Sequence, residues 1–155
     1  MANKIVIDNH TFFSHIESAI KNGDSVEIVR KGKSMLPALQ ENKDKVVLSP
    51  LSKHELYIGA VVLFQINGKY ILHRLININD TTFTFQGDNL RTTKEYASAS
   101  DMIAIVEYII KSNGDTINCF ETDYIQKAKK IVLRLRFRNK CRLLLKSIIE
   151  IFINK

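Results

Sequence analysis

Three polar clusters stand out from the apolar pattern of this chain, and their residue types are those of acyl transfer. The clusters are Gly32-Lys33-Ser34, His73-Arg74 and Gly87-Asp88-Asn89. In acyl transfer a serine hydroxyl attacks a carbonyl, an imidazole takes the serine proton, and a carboxylate holds the imidazole in the correct tautomer. Ser34, His73 and Asp88 would supply these groups. Their order in the chain is weak support alone, because any protein of this size contains all three residue types.

The positions of the three residues favour a reactive site, although each has a structural alternative. Ser34 lies past a strand end at a glycine-bearing turn, His73 lies within an apolar strand, and Asp88 begins the turn after another strand. Strand ends and turns are where rigid scaffolds hold reactive groups. Ser34 could instead cap a turn, His73 could belong to the core, and Asp88 could be part of an ordinary turn. Spacing alone leaves both interpretations open.

Hydrophobic periodicity and turn signals predict the elements that must position these residues. Residues 11–22 predict a short amphipathic helix with Gly23 as its C-terminal cap. Asn67-Gly68 predicts a hairpin between two strands. Strands are predicted over residues 25–30, 45–49, 59–65, 69–76, 82–86 and 102–110, with a further short strand ending near 119. The predicted fold class is mainly β, a compact β fold that follows one short N-terminal helix.

The pattern changes after residue 122. Residues 1–120 hold 13 Lys/Arg and 13 Asp/Glu, whereas residues 121–155 hold ten and three, so the net charge of +7 lies in the last segment. Residues 133–138 alternate as a strand does, but Ile131, Leu135, Leu145 and Ile149 fit a helical stripe. About 25 residues without Gly or Pro are long for a strand. The sequence predicts a β domain over 1–122 and a basic, mostly helical tail over 123–155.

A basic tail attracts phosphate or an anionic membrane surface, or it is the solvated face of a docked helix. No specific nucleic-acid binding is expected, because RNA and DNA motifs and interleaved stacking aromatics are missing from the sequence. No uncharged apolar run approaches the roughly 18–20 residues that span a bilayer, and the N-terminus lacks a secretory signal. We therefore expect a cytoplasmic protein that can lie peripherally at the inner face of the membrane.

The two cysteines and the remaining histidines do not predict a cofactor. Cys119 and Cys141 form no CxxC pair and no disulfide framework, which fits a reducing compartment. The sequence predicts neither a metal site nor another cofactor.

The polar clusters and the segments between them resemble the signal-peptidase and LexA-type serine peptidases. GKSMLP resembles the Gly-x-Ser-Met-x-Pro box of that family, and FQGDN resembles its Gly-Asp-Asn box. Between these boxes, KDKVVLSP is similar to the Gly-Asp-x-Val strand, and IGAVVLFQINGKYILHRLI is similar to the Gly-Asp-Val-Val-x-Phe through His-Arg-Val strand pair. The resemblance covers about residues 11–110, with the boxes in the same order.

The resemblance implies a signal-peptidase/LexA-like β fold with Ser34 as nucleophile, His73 as general base and Asp88 as its orienting partner. The family carries lysine or histidine at the base position. An imidazole is largely neutral at pH 7, whereas a lysine must be desolvated before it acts as a base. Lys69 shares a strand face with His73 but lies about 13 Å away, too far to share one serine.

The resemblance also implies an oxyanion hole built from backbone N–H groups near the serine. Gly32, Lys33 and Met35 are the residues expected to bind substrate or to supply those groups. The small stand-alone bacterial members of the family are the most similar in layout, because the chain shows neither an N-terminal membrane anchor nor a helix-turn-helix domain.

The expected function is that of a serine endopeptidase that cleaves a peptide, or a leader- or signal-like segment, through an acyl-enzyme. Two alternatives stay open. A catalytically weak or inactive module of the same fold would bind a peptide against a strand edge. Nucleic-acid binding through the basic tail is the other alternative.

Overall fold

Eight strands form one antiparallel sheet in the computed structural model, which describes residues 9–153. Helix α1 (Asn9–Lys21) precedes the sheet, and helix α2 (Thr122–Ile153) follows it. The strand order is β1-β2-β7-β3-β4-β5-β6, with β8 paired to β7. The strands are β1 (Val26–Val29), β2 (Lys45–Pro50), β3 (Val61–Ile66), β4 (Lys69–Asn79), β5 (Thr82–Gln86), β6 (Glu95–Ala97), β7 (Met102–Ile110) and β8 (Thr116–Asn118).

This architecture confirms the predicted mainly β class with a short N-terminal helix and a C-terminal helix. The sequence does not predict β6, because a strand of three residues is too short to display a period. The first eight and the last two residues of the predicted domains lie outside the described residues.

Strand β3 lies at the centre of the fold and is buried on both faces. Val61 and Leu63 pack into one hydrophobic core together with residues of α1, β1 and β2. Val62 and Phe64 pack into a second core on the other face. Successive side chains of a strand point to opposite faces, so two covered faces require the continuous apolar run found here in place of an alternating one.

The hairpin between β3 and β4 fixes the register of the strand that carries the histidine. Asn67 and Gly68 both have positive φ, of 50° and 75°, as the predicted two-residue turn requires. This turn pairs Ile66 with Lys69 and, further along, Val62 with His73. The predicted hairpin is confirmed, and it places His73 at the middle of the sheet.

Helix α2 packs on the sheet through its first half. Val132 and Leu135 form a small core with Ile76 of β4. Ala128 lies against Gly59, where a Cβ on the glycine would meet the Ala128 Cβ at 2.9 Å. The close contact of these two small residues lets the helix approach the backbone before β3.

Two polar contacts mark where the docked part of α2 stops. The Arg138 guanidinium donates to the carbonyl of Leu90, and Asn139 donates to Gln86 Oε1 at 3.0 Å. From Arg142 onward, every side chain of α2 that the structure describes is exposed. Within residues 9–153, no helix combines the length and the apolar character needed to cross a membrane.

Candidate active site

A cleft of about 780 Å³ opens between the edges of β1 and β4. Strand β1 ends the sheet order, and β4 has β5 as its second neighbour only from Arg74 onward. Both strands therefore present unpaired edges to the cleft among the described residues. Phe12 and Phe13 of α1 line the cleft together with Leu63, and Ser34 and His73 both face it.

The loop that carries Ser34 leaves β1 through a turn that favours glycine. Gly32 has a φ of +87°, in the left-handed region that side chains with a Cβ disfavour. Asn89 then holds the loop at two points. Its backbone N–H donates to the Ser34 carbonyl at 2.8 Å, and its side-chain amide donates to the Lys33 carbonyl at 3.2 Å. The serine is fixed by the segment that resembles the Gly-Asp-Asn box.

Gly87 brings Ser34 and His73 together. A Cβ built on Gly87 would lie 3.0 Å from His73 Nε2 and 3.0 Å from Ser34 Cβ, so these two atoms are at most twice that distance apart. The same Cβ would lie only 2.7 Å from the Ser34 carbonyl oxygen, closer than real Cβ contacts come. A glycine is needed here because the backbone passes directly over the serine and the imidazole.

The other nitrogen of His73 faces a carboxylate. His73 Nδ1 lies 2.9 Å from Glu95 Oε2, and both side chains are largely buried. A carboxylate is only an acceptor, so the hydrogen bond places a proton on Nδ1. In a neutral imidazole the lone pair is then on Nε2, the atom that lies beside Gly87 on the side of Ser34. Carboxylate, imidazole and serine follow one another in the order that general-base activation of a hydroxyl uses, although no hydrogen bond joins Ser34 Oγ to His73 Nε2 among the described residues.

Asp88 does not orient His73, and this prediction is corrected. Both of its carboxylate oxygens accept hydrogen bonds from Arg74, from Nε and Nη2 at 2.7 Å each. His73 and Arg74 are neighbours on β4, and neighbouring side chains of a strand point to opposite faces. The carboxylate that pairs with Arg74 is therefore turned away from the imidazole. Glu95 takes the place that the sequence assigned to Asp88.

The Arg74–Asp88 pair is one of the most deeply buried charge pairs that the structure describes. Burial by itself lowers the pKa of Arg74, but the hydrogen bonds and charge of Asp88 raise it above the ordinary value. Arg74 Nη1 also donates to the Gly59 carbonyl at 2.6 Å. The pair joins β4 to the segment that passes over Ser34, so its role is structural.

A second buried cation, Arg30, contacts the side chain of Ser34. Arg30 Nη2 donates to Ser34 Oγ at 2.9 Å, and only 4% of the arginine is exposed. Arg30 Nη1 is also buried and has no hydrogen-bond partner among the described residues. Burial lowers the pKa of Arg30, while the charges of Glu41 and Asp88 oppose that shift. Because Ser34 Oγ accepts from Arg30, its own proton is free to point toward His73.

The three residues expected to bind substrate have different surroundings. The Gly32 N–H donates to Glu41 Oε1 at 3.0 Å, so it is not available to an oxyanion. The side chain of Lys33 is exposed, and that of Met35 is fully buried in the first core. Within the described residues no hydrogen bond uses the backbone N–H of Lys33, Ser34 or Met35, so all three groups remain as donors beside the nucleophile.

Asp44 anchors the far end of the serine loop. It accepts hydrogen bonds from the Gln40 N–H at 2.8 Å and from Lys111 Nζ at 2.7 Å. Burial raises the pKa of Asp44, but these donors outweigh it and hold the pKa below the ordinary value. The aspartate therefore stays ionised and joins the loop to Lys111, which directly follows β7.

Sequence reasoning did not find Glu95 and Arg30. Glu95 lies on the three-residue strand β6, where no period can be read. Arg30 did carry a signal, since it follows Ile28 at the two-residue spacing of inward positions on β1. A charged residue at an inward strand position, four residues before a candidate nucleophile, is a pattern from which Arg30 could have been predicted.

Comparison with known proteins does not identify a family for this chain. No family model matches the chain, and no curated protein matches it.

Proposed function

We propose that this protein is a serine endopeptidase in which Ser34 is the nucleophile, His73 the general base and Glu95 the partner that orients the base. One observation carries the proposal: His73 has a carboxylate at Nδ1 and has Nε2 next to Ser34, both beside a cleft large enough for a peptide. The resemblance to signal-peptidase and LexA-type peptidases supports the same nucleophile and base.

In the proposed acylation step, the Ser34 oxygen forms a bond to the carbonyl carbon of the scissile peptide while its proton passes to His73 Nε2. The imidazolium that results is stabilised by the Glu95 carboxylate. The substrate oxygen, which now carries the negative charge, accepts a hydrogen bond from the backbone N–H of Ser34. When the tetrahedral intermediate collapses, the C–N bond breaks and His73 returns its proton to the leaving amine.

In the proposed deacylation step, water takes the place of the amine. His73 removes a proton from the water, whose oxygen attacks the acyl carbon of the ester on Ser34. The ester bond then breaks, Ser34 regains its proton from His73, and a carboxylic acid leaves. No cofactor is required for this cycle.

The cleft favours an extended peptide as substrate. A peptide strand can form backbone hydrogen bonds with the unpaired edges of β1 and β4. Phe13, Leu63 and Leu72 make one wall apolar, so we expect small or apolar side chains of the substrate to lie against it. Leader- or signal-like segments have this character.

A digest of a proteome-derived peptide library tests the proposal. The wild-type protein and Ser34→Ala are incubated with the library, and the products are read by mass spectrometry. We expect cleavage products with the wild type that the variant does not form. Products common to both would come from a contaminating protease, and a library left intact by the wild type would contradict the proposal.

The same cleft also favours the alternative of an inactive peptide-binding module. The variant Ser34→Ala distinguishes such a module from a peptidase. A module would retain library peptides equally well in the wild type and in Ser34→Ala, and neither protein would release a product. Retention on the immobilised protein, measured beside cleavage, distinguishes the two functions.

We place the protein in the cytoplasm as part of this proposal, peripheral at the inner face of the membrane. In the sequence Cys119 and Cys141 form no CxxC pair and no disulfide framework, which fits a reducing compartment. The charge of the C-terminal helix supports contact with an anionic surface, which is developed below.

Arg30 is expected to assist the attack by holding Ser34 Oγ in place, because its Nη2 donates to that oxygen at 2.9 Å. Arg30→Met should lower kcat on the order of a hundredfold, the cost typical of a misplaced reacting group, with KM changed only a few-fold. The free energy of unfolding should not fall, because the change removes a buried cation and its unpartnered Nη1. Steady-state kinetics and urea unfolding measure the two effects.

Lys43→Met is the matched control for Arg30→Met. Lys43 is an exposed cation near the end of the same loop, and its loss should leave both kcat and stability unchanged. If Arg30→Met loses stability and activity together, then the arginine only supports the loop. If kcat is unchanged, the guanidinium plays no part in the reaction.

A further inference from the structure

The outward face of α2 carries an apolar stripe that nothing in the described fold covers. Leu133, Phe137 and Leu144 are 63%, 70% and 55% exposed. At about 100° per residue these three positions lie within roughly 40° of one another on the helix, over a length of about 16 Å. The docked residues Ala128, Val132 and Leu135 lie on the opposite side. Over residues 128–137 the helix therefore has two apolar sides, of which one packs on the sheet and the other faces outward. Beyond Asn139, Leu143, Leu145 and Ile149 are also exposed and lie at other angles around the helix.

Exposed cations flank this outward stripe on both sides. Lys129 and Lys140 lie along one margin, and Lys130 and Arg134 lie along the other. Over its whole length α2 has nine Lys/Arg but only two Asp/Glu, Asp123 and Glu150. An exposed apolar stripe between rows of cations can enter the interface of an anionic bilayer while the cations contact the headgroups.

We propose that α2 docks the protein onto the surface of an anionic phospholipid membrane, with Leu133, Phe137 and Leu144 at the acyl boundary and the flanking cations at the headgroups. The charge argues against a second copy of this chain as the occupant, since two such helices would bring nine cations against nine. Anionic lipid matches both the cations and the apolar stripe. The inference does not depend on hydrolysis by Ser34.

Vesicle binding of the full-length protein tests the proposal. Sedimentation is measured with vesicles of phosphatidylcholine alone and with an equimolar mixture of phosphatidylcholine and phosphatidylglycerol. We expect binding to the mixture only, weakening as salt is added. Replacing Lys129, Lys130 and Lys140 by Gln should weaken binding about fivefold for each charge removed.

The apolar stripe is tested by a triple variant, Leu133→Gln, Phe137→Gln and Leu144→Gln. Glutamine keeps helix propensity and does not change the charge. We expect the partition coefficient onto the mixed vesicles to fall at least a hundredfold, given the apolar surface withdrawn from lipid. The matched control replaces two exposed apolar residues of the β domain, Ile78→Gln and Tyr96→Gln, and should bind as the wild type does.

Several results would overturn this proposal. Equal binding to both kinds of vesicle, or undiminished binding by the triple glutamine variant, would exclude the docking mode. A dimer in analytical ultracentrifugation that the triple variant dissociates, without vesicle binding, would identify a second copy as the occupant. Salt-sensitive nucleic-acid binding that the triple variant retains, again without vesicle binding, would identify a nucleic acid. Peptide cleavage is measured separately, with Ser34→Ala expected to bind vesicles normally, so the two proposals fail independently.

Discussion

Glu95→Gln should lower kcat/KM on the order of ten-thousandfold while the protein remains folded. The carboxylate lies 2.9 Å from His73 Nδ1 and fixes the proton there. A glutamine amide can donate to Nδ1 instead, which moves the imidazole proton to Nε2 and leaves no base for Ser34. It also removes the charge that stabilises the imidazolium. Loss of the matching carboxylate from a serine–histidine site typically costs this much.

The measurement is steady-state cleavage of a peptide found in the library digest, together with thermal unfolding. Glu107→Gln is the matched control, because Glu107 is a partly buried carboxylate with a histidine beside it, His54, at 3.6 Å, and it does not line the cleft. The control should keep the wild-type kcat/KM. Should Glu95→Gln retain activity within a few-fold, the imidazole must be oriented by another group, and the proposed mechanism is wrong.

Asp88→Asn should destabilise the fold by about 3–5 kcal/mol, the cost of leaving one partner of a buried ion pair without its countercharge. Arg74 is 1% exposed and directs both Nε and Nη2 at this carboxylate. A domain is typically stable by only about 5–15 kcal/mol, so the loss is a large share of the total. Any loss of activity should follow the loss of folded protein, because Asp88 does not contact the imidazole.

Urea unfolding of the variant measures this loss, and Asp80→Asn is the matched control. Asp80 lies exposed in a turn with a φ of 48°, a conformation that asparagine also adopts, so its replacement should be nearly neutral. Arg74→Met combined with Asp88→Asn should recover part of the loss, since the unpaired cation is gone. A fully stable Asp88→Asn protein with crippled catalysis would instead restore Asp88 as the partner of His73.

Much of the fold can be predicted from the sequence, because long segments show a hydrophobic period that identifies them as strand or helix. The predicted strands over 45–49, 82–86 and 102–110 and the Asn67-Gly68 hairpin all occur, as does the C-terminal helix. These segments are long enough to show a period, or they contain a turn that only a few residue types adopt. The proximity of Ser34 and His73, which the resemblance to the peptidase family implied, is also found.

The partner of the histidine could not be predicted in this way, because it depends on which face of a strand each side chain occupies. Asp88 and Glu95 are both carboxylates within reach along the chain, and only the pleat of β4 decides between them. His73 pairs with Glu95 on one face of the strand, and Arg74 pairs with Asp88 on the other. A strand as short as β6 has no sequence pattern that predicts its pairing. The choice between Asp88 and Glu95 as the partner of His73 therefore requires the three-dimensional structure.

The end of the docked part of α2 has a consequence for the candidate nucleophile. Arg138 and Asn139 hold Leu90 and Gln86, and these two residues bracket the three-residue segment that crosses above the serine and the imidazole. Gln86 also donates to the Leu90 carbonyl at 2.9 Å, which closes the bracket. Shortening the chain before residue 138 would thus remove the contacts of α2 with both ends of this crossing segment, while Gln86 would keep its pairing with Arg74 and its bond to Leu90. The last helix therefore adds support to the segment that lies over the reacting groups.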